Sequence, residues 1–506
     1  MMDELTVDHE GGEVRRPGGP PATPPPRREA GDPTNGTGHA LDRPSSPFIR
    51  TRRGIAFVAA GVAPFGLAYL TATYVMPGDW VPLLFEILAL YGLYVIALYW
   101  AFPRRHRSPK PRNDADTVPV NERGQRTDWL LLLRGIAAAL VFVMHTGIVF
   151  KHDFQWGGSR WAWIAFSPAW LGMILFFTLS GYLMGKGFKS GKYPLDRRGV
   201  SHYLRNRFLR IVPLSLVVAA AIIVLQAPSW IGQPDLIIRT TSFTFNGIVS
   251  PEGLGSYWSL STEWQFYLVA PIAALVCFFL FRRRAILPAT VAAVMIAGVG
   301  IRWILWVRHD GIIGWNPFVY TPLYGNIDLF ILGFVANWIR PNIQRLSGIL
   351  RRTWAPILLA IYLAYSYVSY RAMELGDVGI QKFFAVVMPA IVALFLLPVL
   401  LGMEASNDAA NLRPTSTRSR LRSRTLYWIG ALTFPVYLCH SAILVSVESG
   451  IPRSPYLTRL LVAAVLTFAT ALILHLTVER TALSWRIRLG QRSPAPRQTD
   501  RVAEPL

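Results

Sequence analysis

The chain has 506 residues, of which 52% are hydrophobic and only 16% charged, with a formal net charge of +22. Soluble domains carry about 25% charged residues, so a composition this apolar, with a mean hydropathy of +0.34, excludes an ordinary water-soluble enzyme. The positive charge is confined to segments between apolar runs, which argues against nucleic acid as a partner, and two cysteines in apolar runs, Cys277 and Cys439, cannot build a disulfide framework or a thiolate metal site.

In chain order, residues 1–53 hold PGGPPATPPPRRE and little that packs, so a disordered tail is expected there. Early acidic residues and the lack of a suitably placed apolar stretch exclude a secretory signal. A span needs roughly 20 apolar residues. Candidates follow at 54–76, 81–102, 129–150, 168–185, 209–227, 260–281, 285–306, 318–338, 354–371, 382–403, 425–446 and 456–476. The expected fold is therefore all-α, a polytopic transmembrane helix bundle. Two additional helices at 54–102 and a basic linker at 103–127 precede a ten-helix block over 128–485, and a disordered tail follows at 486–506. The segment 236–249 is short and broken by polar residues, so it reads as re-entrant or interfacial.

Charge orients the bundle. Alternate loops are basic: Arg104 to Arg112, Lys186 to Arg210, Arg282 to Arg284, Arg340 to Arg352, Arg413 to Arg424, and the tail from Arg486. The positive-inside rule places all of these, and both termini, in the cytosol. No internal repeat joins the two halves, which disfavours the alternative class, a transporter or flippase using buried polar residues as a translocation path.

Ionisable residues inside apolar runs are costly and mark functional sites. Arg134 and His145 lie on the first helix of the block, eleven residues apart, almost three whole turns, so they share a face. Arg134 sits near the inner surface, with His145 ~16 Å further out. His440 lies ~20 Å along another outward-running helix, near the depth of His145. Glu263 opens an inward-running helix and belongs to the same outer half, so two imidazoles and a carboxylate could form a base with its orienting partner. At the inner end, Arg207 and Arg210 share a face at i, i+3 and suit phosphate recognition through planar guanidinium groups. Asp328 falls near mid-membrane, Arg302 reads as a snorkelling residue near a helix end, and the small residues around Ser180 in TLSGYLMG read as a close-packing surface.

Five motifs occur in one order: LLLRGIAAALVFVMH (131–145), LGMILFFTLSGYLMG (171–185), YLRNRFLRIVP (203–213), YWSLSTEWQFYLVAP (257–271) and YWIGALTFPVYLCH (427–440). Together they resemble the acyltransferase 3 family of integral-membrane acyltransferases over about 128–485. The resemblance implies transfer of an acyl group, usually acetyl, from cytosolic acyl-CoA to a sugar hydroxyl at the plasma membrane, with no metal. It further implies His145 as the essential catalytic residue, Glu263 and His440 as its companions, and Arg134, Arg207 and Arg210 at the acyl-CoA end. The sequence departs from the family pattern at Leu131, at Asn326, and at Thr433-Phe434, where an aspartate, an arginine and a Ser-Tyr pair are usual. The expected partners are the bilayer and a sugar-containing acceptor; the oligomeric state is not legible.

Overall fold

A computed structural model describes residues 80–102, 127–150, 169–244, 252–282, 284–308, 321–339, 346–373, 378–412 and 416–491. The N-terminal tail, the first leading span at 54–76, most of the 103–127 linker and the end of the C-terminal tail lie outside the described residues. All regular structure among the described residues is helical. In chain order the α-helices are α1 (Trp80–Ala101), α2 (Trp129–Val149), α3 (Ala169–Lys189), α4 (Arg197–Leu225), α5 (Pro234–Thr241), α6 (Tyr257–Leu280) and α7 (Leu287–Arg308). They continue with α8 (Leu323–Ile339), α9 (Ser347–Met373), α10 (Val378–Val386), α11 (Met388–Asn411), α12 (Thr417–Gly450), α13 (Tyr456–Leu474) and α14 (Arg480–Gln491). Among the described residues, eight helices are long and apolar enough to cross a membrane: α2, α3, α4, α6, α7, α11, α12 and the stretch from α13 to Trp485.

Helix α3 is the centre of the bundle, packed against α2, α6, α8 and α11. Its composition explains this position. A Cβ on Gly181 would collide with the Phe330 carbonyl of α8, and one on Gly333 with the Thr178 carbonyl of α3. The two helices approach backbone to backbone because neither glycine has a side chain, the packing mode that small residues allow inside membranes. Phe177, Phe330 and Phe266 stack through this crossing, with ring centroids 4.7 Å and 4.2 Å apart.

Helices α2 and α12 form the second close pair. Gly430 makes room for the Leu131 side chain, and Gly135 for that of Ile429. Leu131, which departs from the family pattern, is thus a packing residue between these helices. Asp128 caps α2 by accepting from Leu130 N at 3.0 Å, and Asn407 of α11 accepts from Trp129 N at 2.8 Å. These bonds satisfy orphan donors of the first turn and fix where the helix starts.

Helices α7 and α8 are joined by a buried ion pair. Both terminal nitrogens of Arg302 reach the Asp328 carboxylate at 2.8 Å, while Arg302 Nε donates to Val386 O at 2.8 Å and Nη1 to Gly325 O at 3.0 Å. Gly298 leaves the space that the Asp328 carboxylate fills. Arg302 therefore does not snorkel. The pair is a fully satisfied bidentate contact, the arrangement under which a buried charge is tolerated.

Of the 236–249 segment the described residues, 236–244, hold most of the short helix α5 and a turn in which Phe243 adopts φ 57, and 245–249 lie outside the described residues. Helix α4 is longer than its apolar core suggests: it begins at Arg197, capped by Asp196 through Gly199 N at 2.8 Å, so Arg207 and Arg210 lie well inside it and not at its start.

Candidate active site

Helices α2 and α12 bring His145 and His440 together. His440 Nε2 lies 3.0 Å from His145 Nδ1, and their ring centroids are 5.1 Å apart. On its other side, His440 Nδ1 lies 2.7 Å from the carbonyl oxygen of Tyr437 in its own helix. A carbonyl can only accept, so Nδ1 of His440 carries its proton, and in the neutral ring Nε2 is the bare acceptor. The facing Nδ1 of His145 must then be the donor, which leaves Nε2 of His145 with a free lone pair. The pair has a direction: Tyr437 orients His440, and His440 orients His145. His440 is fully buried at 1% exposure, whereas His145 is only partly covered.

Reached from this pair through Tyr437 is a small cavity of about 40 Å³ between α2, α3, α4, α6 and α12. Its charged lining is Arg134, Arg210 and Glu263, and its polar lining includes Ser259, Thr433 and Tyr437. Tyr437 thus belongs to both features, its side chain on the cavity and its carbonyl on His440. The Tyr437 hydroxyl is hydrogen-bonded to Ser259 and donates to Ser256 O at 3.2 Å, which ties α12 to the first turn of α6. Met173, Phe176 and Phe177 of α3 form the apolar wall.

Arg134 therefore faces the same neighbour as His145, as their shared helix face predicts. Glu263 has hydrogen-bond partners other than the histidines. Its carboxylate accepts from Ser180 of α3 and from Tyr267 one turn along α6, and it meets the arginines across the cavity; the hydrogen-bonded companion of His145 is His440. Helix rise gives depth, but the sequence does not say which way around each helix faces, so three residues at a similar depth need not converge. Arg207 stands one layer behind the cavity. Its guanidinium packs over the rings of Tyr203 and Tyr267 at 5.8 and 5.5 Å, and its Nε is buried without a hydrogen-bond partner.

Ser259, Tyr267 and Tyr437 were not singled out by sequence reasoning, and Ser180, which bonds Glu263, was read only as part of a close-packing surface. For Ser180 the signal was present: a hydroxyl beside a glycine at a close helix crossing sits where a buried carboxylate on the next helix can reach it. Asp328 is occupied by Arg302, and Glu479 by His475 at 2.7 Å within a single π-turn at His475–Glu479, so neither acidic group belongs to the cavity.

The family model for the acyltransferase 3 family, described as an acyltransferase domain, matches residues 127–476. The chain belongs to this family. Residues 127–476 are accordingly an acyltransferase domain, and its long apolar helices are those of a multi-pass membrane protein. Similar curated proteins are the O-acetyltransferase OatA of Staphylococcus aureus strain NCTC 8325 / PS 47 and that of strain COL. Each is 22% identical over 362 residues, covering 66% of this chain and 55% of the relative. The chain thus spans about half the length of the curated relatives it matches. No solved structure matches it. The acyltransferase match begins at Thr127, the residue before the α2 cap, and leaves α1 outside.

Proposed function

We propose that this acyltransferase moves an acyl group, acetyl in the simplest case, from cytosolic acyl-CoA to a sugar hydroxyl of an envelope glycan, glycolipid or glycosylated metabolite. The observation that carries this reading is the directed chain Tyr437 carbonyl–His440–His145 beside a cavity bearing Arg134 and Arg210. The printed name of the relatives, O-acetyltransferase, supports acetyl as the group and oxygen as its destination. The basic loops support a plasma-membrane orientation with both termini in the cytosol.

In this reading the phosphates of acyl-CoA engage Arg210 and Arg134, with Arg207 behind them. The unpartnered Nε of Arg207 and the unpartnered hydroxyl of Tyr203 are buried polar groups that an anion would satisfy. The thioester extends along the Met173–Phe177 wall toward Tyr437. Nε2 of His145 takes the proton of the acceptor hydroxyl as its oxygen attacks the thioester carbonyl. A C–O bond forms and the C–S bond breaks. The sulfur leaves as thiolate and recovers the proton from His145, giving an ester and free CoA. Glu263 offsets the positive charge of the arginines and holds Tyr267 beneath Arg207.

Mass spectrometry of envelope glycans and secreted glycosides tests the acceptor class. The expected result is an acyl group present on one glycan class in wild-type cells, lost on deletion, restored by the intact gene and not by His145→Ala. Identical acylation profiles in all four strains would remove the proposal.

A further inference from the structure

Helix α1 lies outside the matched acyltransferase domain, yet it is bonded to the helix that carries Glu263 and Tyr267. We infer that α1 is a brace for the site, with Tyr91 and Tyr94 as positioning residues; this rests on the donor-end role proposed above for α6. Leu83, Ile87, Leu90, Tyr94, Leu98 and Ala101 are buried at helical spacing, whereas Phe85, Leu88, Leu93, Ile96 and Trp100 are exposed on the opposite side. One face is thus packed on protein and the other is left to lipid.

The packed face makes polar contacts of specific geometry. The Tyr91 hydroxyl donates to Ser242 O at 2.9 Å and accepts from Trp264 Nε1 at 3.1 Å, linking α1 to the turn after α5 and to α6. The Tyr94 hydroxyl, 2% exposed as a residue, donates to Leu268 O of α6. That carbonyl lies in the weakest turn of the helix. Pro271 has no N–H for the carbonyl of Tyr267, and its ring crowds that same carbonyl. Such a turn bends freely unless neighbours fix it. Tyr94 grips it directly, and one turn earlier on the same face Trp264, bonded to Tyr91, is packed against Phe243 at 5.4 Å and Phe208 at 6.4 Å. Phe208 adjoins Arg207, whose guanidinium lies over Tyr267. The brace therefore fixes the angle at which α6 presents Tyr267 and Glu263 to the arginines.

The test compares the full-length protein in proteoliposomes with Tyr94→Phe and the Tyr91→Phe/Tyr94→Phe double variant, using acetyl-CoA as the donor. Loss of each hydroxyl keeps the ring and hence the packing. Two readouts are expected to move together. Amide hydrogen exchange over 264–275 accelerates, and the KM for acetyl-CoA rises about 3- to 10-fold in the double variant, the scale of one or two lost hydrogen bonds, with kcat unchanged. Phe85→Ala on the lipid face changes neither. A purely structural helix would lower kcat with the folded fraction and leave KM alone, and that outcome overturns the inference, as does wild-type exchange in the double variant. If the wild type fails to turn over acetyl-CoA, the donor assignment fails, and accelerated exchange over 264–275 still decides for the brace.

Discussion

At the scale of single residues, the site divides into a base end and an anion end. The two should respond differently to mutation. Arg210 lines the cavity directly, whereas Arg207 acts through its stack on Tyr267. Arg210→Ala is expected to raise the acyl-CoA KM by about 10-fold or more, the loss of a charge-assisted contact, and Arg207→Ala by less. Lysine at position 210 restores the charge but not the fork, so it should rescue KM only in part. Donor titrations of the three variants at matched protein levels check this ranking; unchanged KM in both alanine variants would reduce these arginines to topology signals. Much of this site was legible in advance. The eleven-residue spacing put Arg134 and His145 on one face, and depth alone put His440 level with His145. The direction of the histidine pair was not legible, because it depends on the Tyr437 carbonyl, a backbone group that no sequence pattern reports. The partners of Glu263, Ser180 and Tyr267, were not legible for a related reason: position along a helix does not report which way a side chain faces.

At the scale of elements, short-range chemistry set the boundaries that apolar runs missed. Helix α4 begins twelve residues before the expected span, and the Asp196 cap followed three residues later by Gly199 marks the start. An apolar window does not see a helix whose first turns carry arginines. The link between α7 and α8 escaped similarly. Arg302 and Asp328 were each read alone, although two opposite charges in neighbouring apolar helices are far cheaper together. Breaking that pair should cost about 3–5 kcal/mol. Asp328→Asn or Arg302→Met is therefore expected to reduce the yield of folded protein sharply, and the double variant Arg302→Met/Asp328→Leu to recover it. Thermal unfolding in detergent measures all three. Equal stability of the single variants and wild type would show that the pair does not hold α7 to α8.

At the scale of the whole molecule, the glycine-built core around α3 and the α2–α12 pair form one frame, and the proposed orientation gives its two ends different tasks. The cavity arginines would then serve the cytosolic side and the histidine pair the outer side. Labelling of single cysteines placed within 228–256 in intact cells should succeed from outside, and those placed within 404–424 should react only after lysis. The reverse pattern would invert the orientation. The measurement that tests the central claim most directly joins orientation to chemistry. Sealed proteoliposomes are given labelled acetyl-CoA on the side of the basic loops and a sugar acceptor on the other. Labelled ester should accumulate on the acceptor with the wild-type protein and fall by about 10²–10⁴-fold with His145→Ala, the range a general base contributes. Undiminished transfer by His145→Ala, at equal insertion and abundance, would contradict the account.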